Sequence, residues 1–287
     1  MDDLTYTLRQ LCLRNRDGSH ATQADRQRSL TLAARQLREA GFRQMRATSL
    51  KVKHVEALLQ RWQAEGLSAG TLKNRMAHLR WWAEKVGKAC ILPVDNTSLG
   101  IPERRYVTNE SKAKELGDRL DRITDSHVHM SLRLQAAFGL RREESIKFQP
   151  RYADRGDHIA IKGSWAKGGR DRTVPIATPE QRTVLEDAHR LAGLGSLIPA
   201  HKTYIQQRHV YDGQCKAAGL SNMHGLRHQY AQMRYEALTG WQAPVAGGPS
   251  IRELSPTQRM EDSHARQAIS RELGHERIQI TGIYLGR

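Results

Sequence analysis

Between residues 21 and 87, three successive stretches place apolar side chains three and four positions apart, and each ends on a glycine. In ATQADRQRSLTLAARQLREAGF, Leu30, Ala33, Leu37 and Ala40 fall on one helical face before Gly41. In SLKVKHVEALLQRWQAEG the stripe is Val52, Val55, Leu58, Leu59 and Trp62, closed by Gly66. In SAGTLKNRMAHLRWWAEKVG it is Leu72, Met76, Leu79, Trp82 and Val86, with Ser68 as N-cap and Gly87 as the stop. A strand sorts side chains with period two and cannot segregate this pattern, so the stripes must be buried helix against helix. Residues 1–92 therefore read as a small helical bundle. Trp82 falls in the stripe and belongs to the core, although the Trp81–Trp82 pair also suits base stacking. Lys73, Arg75 and Arg80 lie on the other faces, where they are free to meet phosphates.

Charge narrows the partner. The 287 residues carry 46 Lys/Arg against 30 Asp/Glu, a net +16 with pI near 10.2. The excess is spread evenly, at 17 against 9 in the first hundred residues and 29 against 21 in the rest. That exceeds what solubility asks of a small domain, and two basic regions on one chain fit a polyanion gripped from two sides. Nucleic acid is the favoured partner. No apolar run approaches the ~20 residues of a membrane span, and MDDLTYTLRQ is no signal peptide. Cys12, Cys90 and Cys215 have neither disulfide density nor zinc spacing, and they read as reduced thiols of a cytoplasmic protein.

Residues 93–110, within ILPVDNTSLGIPERRYVTNE, lack periodicity and read as an interdomain linker, with Arg104 and Arg105 suited to crossing a phosphate backbone. A second domain, 111–287, opens with helices through SKAKELGDRLDRI and SHVHMSLRLQAAFGL. Two β-leaning runs in DHIAIKGSWAKGGRDRTVPI flank a glycine-containing turn and predict a hairpin. Helices resume at TPEQRTVLEDAHRLAG and run to the end, except for a Gly/Pro-rich insertion near 240–262 that reads as a long loop. The fold class is mainly α with a small β-hairpin (α+β).

Four separated stretches carry cations or proton-transfer groups. AAFGLRREESIKF places Arg141 after a helix ending, with Glu144 one turn away. WAKGGRDRTVPI puts Lys167 at the hairpin turn. MHGLRHQYA spaces His224 and Arg227 so that both face one point. LGHERIQITGIYLG supplies His275 and, nine positions later, Tyr284. Taken singly, each has a bland reading as a solvated helix face, a decorative lysine or a packed aromatic.

Taken together and in order, they resemble the tyrosine recombinase (phage integrase) family. Its ordered motif is matched by Gly139-Leu140-Arg141 with Glu144, Lys167 before Arg172-Thr173-Val174-Pro175, His224-Gly225-Leu226-Arg227-His228, Leu273-Gly274-His275, and Tyr284. The resemblance covers the second domain by motif. The first matches in kind, as a helical DNA core-binding domain with a T-x-x-N-R-type helix, Thr71 to Arg75.

The resemblance implies a site-specific recombinase or integrase of a mobile element. It cleaves and rejoins double-stranded DNA through a 3′-phosphotyrosyl intermediate, without metal, ATP or cofactor. A phenol with an ordinary pKa near 10 must lose its proton as it attacks phosphorus. Arg141 and Arg227 would hold the nonbridging oxygens, as guanidiniums that stay charged at working pH. His275 would donate to the same oxygens, and His224 would assist proton transfer at Tyr284, the nucleophile. Lys167 would protonate the leaving 5′-oxygen. Glu144 would orient an arginine rather than touch DNA, and Arg142 competes with Arg141 for the first position. The family further implies a homo-oligomer, a dimer on a site and a tetramer in synapsis, with accessory DNA-bending proteins. Its place would be the cytoplasm, nucleoid-associated, of a bacterial or phage-type system.

Two departures stand out. His224 and His275 are 51 positions apart, about twice the family's usual separation, and the excess coincides with the insertion. Family members also usually continue past the tyrosine with a helix that docks on a neighbouring protomer, whereas this sequence ends at Arg287. Two other classes stay open: a type IB topoisomerase-like enzyme, marked by relaxation without paired sites, and a nonenzymatic DNA-binding descendant, marked by loss of site residues.

Overall fold

A computed structural model describes every residue except Met1, Arg105 and Lys167. The chain falls into two compact units, Met1–Arg105 and Tyr106–Arg287.

The first unit holds helices α1 (Asp3–Arg14), α2 (His20–Glu39), α3 (Val52–Ala64) and α4 (Ala69–Lys85). Asp2, Ser19 and Ser68 cap α1, α2 and α4, each side chain accepting a backbone N–H of the first turn. Leu30, Leu37, Leu58, Met76 and Leu79 interlock around Trp62 and Trp82, both essentially without exposure. Each indole N–H is satisfied inside, Trp62 by Gln36 Oε1 and Trp82 by the Ala47 carbonyl, both at 2.8 Å. Ala40 and Val52, at the ends of their stripes, are exposed.

Three surface expectations in this unit need correction. Arg80 is not free for phosphate. Its guanidinium donates to the carbonyls of Pro93 and Asp95 and to Asn96 Oδ1 at 2.9–3.0 Å, pinning the following segment to α4. Trp81 is not an open stacking face, because Arg26 lies 4.2 Å over its ring and its N–H donates to Asp17. Arg75 is partly buried against Trp62, with one Nη that finds no partner. Lys73 makes no hydrogen bond or ion pair among the described residues, and Arg104 lies over Gly70 at the start of α4. Arg105 lies outside the described residues.

The second unit holds α5 (Ser126–Phe138), α6 (Arg142–Ile146), α7 (Pro150–Ala153), β1 (His158–Ile161), β2 (Arg172–Pro175), α8 (Pro179–Ala192), α9 (Tyr204–Ala217), α10 (Gly225–Thr239), α11 (Pro256–Glu272) and α12 (Gly282–Leu285). The two strands pair antiparallel with His158 opposite Pro175 and Ile161 opposite Arg172, forming the expected hairpin. α5 is buried on two faces. Leu134 and Phe138 join one core with Phe148, Trp165, Tyr235 and Ile269, while Val128 and Leu132 join another with Ile146, Tyr211 and Leu226. α10 packs on α5, α11 and α12, and so carries its residues into the middle of the unit.

Two sequence expectations fail here. SKAKELGDRLDRI forms no α-helix. Residues 111–116 are irregular and Gly117–Arg122 is a 3-10 stretch, with Gly117 at φ 51 where a right-handed helix cannot pass. The Gly/Pro-rich insertion ends at 255 rather than 262. Ser255 caps α11, its hydroxyl accepting from the Gln258 N–H and the Gln258 side chain answering, and Pro256 occupies the first helical position, where its missing N–H costs nothing.

Candidate active site

The turn after α5 sets the first group. Gly139 stands at φ 60, and a Cβ there would sit 2.5 Å from Tyr230 Cδ1, so both conformation and space demand glycine. The chain then reverses into α6. The Arg141 N–H donates to Glu144 Oε2 at 2.7 Å and its guanidinium to Glu144 Oε1 at 2.8 Å. Glu144 has no exposure and also accepts two bonds from Arg172 on β2, at 2.9 and 2.7 Å. Burial alone would raise this carboxyl's pKa. The hydrogen bonds and charge of Arg172, then the charges of Arg227 and Arg141, overcome it and hold it at about 2.

Arg227, on the first turn of α10, is wholly buried. It donates to the Gly139 carbonyl at 2.5 Å and to the Leu273 carbonyl, and its Nε has no partner. Arg141 Nη2 reaches the same Leu273 carbonyl at 3.4 Å, so two guanidiniums 86 positions apart in sequence converge on one oxygen. Burial pulls the Arg227 pKa down to about 10, still protonated at neutral pH. Arg142 turns the other way, to Asp212 at 2.6 Å. The arginines outnumber the carboxylate between them, leaving local positive charge suited to an anion.

Three histidines surround Tyr284. His224 precedes α10, and its Nε2 lies 3.0 Å from Tyr284 Oη. Burial, then the charges of Arg227 and Arg141, lower its pKa and favour the neutral ring. His275 follows Gly274, which stands at φ 62 and would place a Cβ 2.8 Å from Arg172 Cδ. Its ring stacks on Tyr284 with centroids 5.1 Å apart at 27°. Nδ1 lies 3.1 Å from Thr281 Oγ1, and Nε2 is buried without a partner. Burial, then Arg227, Arg141 and Arg172, push its pKa to about 3. His228, one turn beyond His224, lies against the Tyr284 ring at 4.4 Å and 32°, its pKa lowered to about 4 by burial first and by His224 next. Tyr284 itself is 6% exposed.

Arg141, Glu144, His224, Arg227, His275 and Tyr284 are thus brought together, while Lys167 lies outside the described residues. Sequence reasoning passed over two members. Arg172 was read only as part of the R-x-V-P strand, yet it is the strongest anchor of Glu144; its signal was the alternation that turns it inward opposite Ile161. His228 was read only as the end of H-G-L-R-H, although its place one turn after His224 puts both rings on the same side of α10. A cleft of about 640 Å³ beside His224 is lined by Leu140, Arg142, Lys216, Ser221 and Asn222, among others. Among the described residues, no group of three or more His, Cys, Asp or Glu is placed to hold a metal ion, and no helix is long and apolar enough to cross a membrane.

A family model described as "Phage integrase, N-terminal" matches residues 1–91, and one described as "Integrase" matches residues 102–233. No curated protein matches the chain significantly. Among solved structures, the Tn1549 transposon integrase in complex with circular intermediate DNA superposes with TM-score 0.59 at 14% identity, over 100% of this chain and 96% of that one. A lambda integrase dimer bound to a COC′ core site gives 0.62 at 15%, covering 99% and 96%. The XerH site-specific recombinase bound to palindromic difH gives 0.61 at 16%, covering 99% and 81%. At such identities the likeness is one of fold. The integrase match ends before His275 and Tyr284.

Proposed function

Since the chain belongs to the tyrosine recombinase (phage integrase) family, we propose that it is a site-specific DNA recombinase whose nucleophile is Tyr284. One observation carries this reading: Tyr284 Oη is 3.0 Å from His224 Nε2, in a pocket where Arg141 and Arg227 both reach the Leu273 carbonyl oxygen.

His224 Nε2 takes the phenolic proton as Oη attacks a backbone phosphorus. The P–O5′ bond breaks, leaving a 3′-phosphotyrosyl link and a 5′-oxygen that receives a proton from Lys167. Rejoining is the reverse step with a different 5′-hydroxyl, and the phosphodiester energy is kept in the tyrosyl ester. Arg141, with a quarter of its side chain exposed, is the guanidinium an incoming phosphate meets first. Arg227 gives two of its five N–H donors to the Gly139 and Leu273 carbonyls and its Nε has no partner, so donors remain for a phosphate. The orphaned Nε2 of His275 supplies a further donor if Nδ1 accepts from Thr281. Glu144 fixes Arg141 and Arg172 without touching substrate.

The partner is double-stranded DNA, bound by the basic units 1–92 and 111–287 around the linker 93–110. Lys73, Arg104 and Arg105 are the phosphate contacts in the first unit and linker. The working form is a homo-oligomer, a dimer on each site and a tetramer in synapsis, helped by DNA-bending proteins. A mobile element in a bacterial or phage-type cytoplasm is its setting. The test is a nicked suicide duplex, selected by binding from a random-sequence pool. The wild type should give a covalent adduct on a denaturing gel and Tyr284→Phe none. A wild type that binds but forms no adduct would contradict the reading.

A further inference from the structure

The segment that carries Tyr284 is fastened through its main chain. The Tyr284 carbonyl accepts from Gln232 Nε2 at 3.1 Å, the Gly286 carbonyl from Arg266 Nη1 at 2.9 Å, and the Arg287 N–H donates to Asn109 Oδ1 at 3.1 Å. Gln232, 8% exposed on α10, uses its other amide atom as well: Oε1 accepts from the Ser111 hydroxyl at 3.1 Å. One primary amide therefore bridges residue 111 and the tyrosine's backbone.

The segment around Ser111 is itself held. Asn109 stands at φ 54, a left-handed conformation that asparagine adopts more readily than most residues. Lys114 N–H donates to the Gly225 carbonyl at 3.1 Å and Lys114 Nζ to the Ser221 carbonyl at 2.8 Å, laying the chain across the start of α10 beside His224. A Cβ on Gly225 would sit 2.5 Å from Lys114 Cγ and 2.7 Å from the Lys112 carbonyl, so this glycine is the seat of the crossing.

We propose that Gln232 is a positioning residue for Tyr284, and that residues 107–114 act through it as a strap that sets where the nucleophile stands. The inference rests on reading Tyr284 as the nucleophile. The ring faces are set by His228 and His275 and the hydroxyl by His224. The Gln232 bridge is neutral and holds the backbone of Tyr284 rather than its ring or hydroxyl. Whatever displaces residues 107–114 is passed to the tyrosine by the Ser111–Gln232 bridge and by Asn109.

The test compares full-length wild type, Ser111→Ala, Gln232→Glu and Gln232→Ala. The exposed Ser111 change guards against misfolding. Gln232→Glu keeps the acceptor for Ser111 and removes the donor to Tyr284. Single-turnover adduct formation at saturating protein should fall about tenfold in both Gln232 variants and about threefold in Ser111→Ala, as expected for one neutral hydrogen bond. DNA affinity, measured in a Tyr284→Phe background, should be unchanged. The double variant S111A/Q232A should be no slower than Q232A alone, since both act through one bridge. Independently of activity, amide hydrogen exchange at 284–287 should accelerate in all three variants. Unchanged exchange there, or adduct rates equal to wild type, would overturn the strap. A wild type that makes no adduct would instead overturn the functional reading, with the exchange arm still deciding the strap.

Discussion

Glu144→Gln removes one negative charge and almost no volume from the centre of three guanidiniums. The side chain has no exposure and accepts four hydrogen bonds, two from Arg141 and two from Arg172, whose own side chain is 6% exposed. The carboxyl pKa is held at about 2 against an ordinary 4.5. At 1.36 kcal/mol per unit, that difference corresponds to about 3 kcal/mol of folding stability at neutral pH. The figure agrees with the roughly 3–5 kcal/mol typical of stripping one partner from a buried ion pair. In a unit of this size about 3 kcal/mol lowers Tm by roughly 6–12 °C. The folded pKa lies below the unfolded one, so the contribution is complete above about pH 4.5 and is lost as pH falls toward 2. Thermal and urea unfolding of both proteins between pH 7 and pH 3 is the assay. The gap should be full and flat from pH 7 down to about pH 4.5 and shrink below it. A loss under about 1 kcal/mol at pH 7, or a gap independent of pH, would refute the claim that this carboxylate anchors the arginines.

Other outcomes follow from the same geometry. Gly139→Ala forces a Cβ to 2.5 Å from the Tyr230 ring at a φ of 60°, and should cost about 2–4 kcal/mol in urea unfolding while shifting a carbonyl that Arg227 uses; a neutral effect would contradict the packing described. His224 is neutral because burial and two arginines lower its pKa, so the acid limb of second-order adduct formation should lie below pH 6.5, and a limb at or above that value would remove it as the proton acceptor. Lys167→Ala should lose cleavage of a normal 5′-oxygen and regain it with a bridging 5′-thiol, which leaves without an acid; no rescue would count against the general-acid role.

What was legible in the sequence divides along the range of the interactions. The stripes containing Trp62 and Trp82 showed the first unit's helices because burial there follows local spacing. The hairpin was visible because glycine marks its turn and β-leaning residues its arms. The site was legible only as an ordered set, since each member lies in a different element and no single spacing brings Arg141 to Leu273 or His224 to Tyr284. Arg80 was misread because its partners, Pro93 to Asn96, lie in a segment with no periodic signal. SKAKELGDRLDRI has the charge pattern of a solvated helix, and the positive φ of Gly117 that breaks it is a property of the folded path. The pairing of Arg172 with Glu144 spans 28 residues, and the bridge from Ser111 to Gln232 spans 121; nothing local encodes either.

The most direct measurement is to map the protein–DNA link itself. Wild-type protein trapped on the nicked duplex is digested, and the peptide retaining a 3′-phosphonucleotide is sequenced by mass spectrometry. The modification is expected on Tyr284, within the peptide ending at Arg287. A nucleotide attached to any other side chain would mean that the phenol held between His228 and His275 is not the group that attacks.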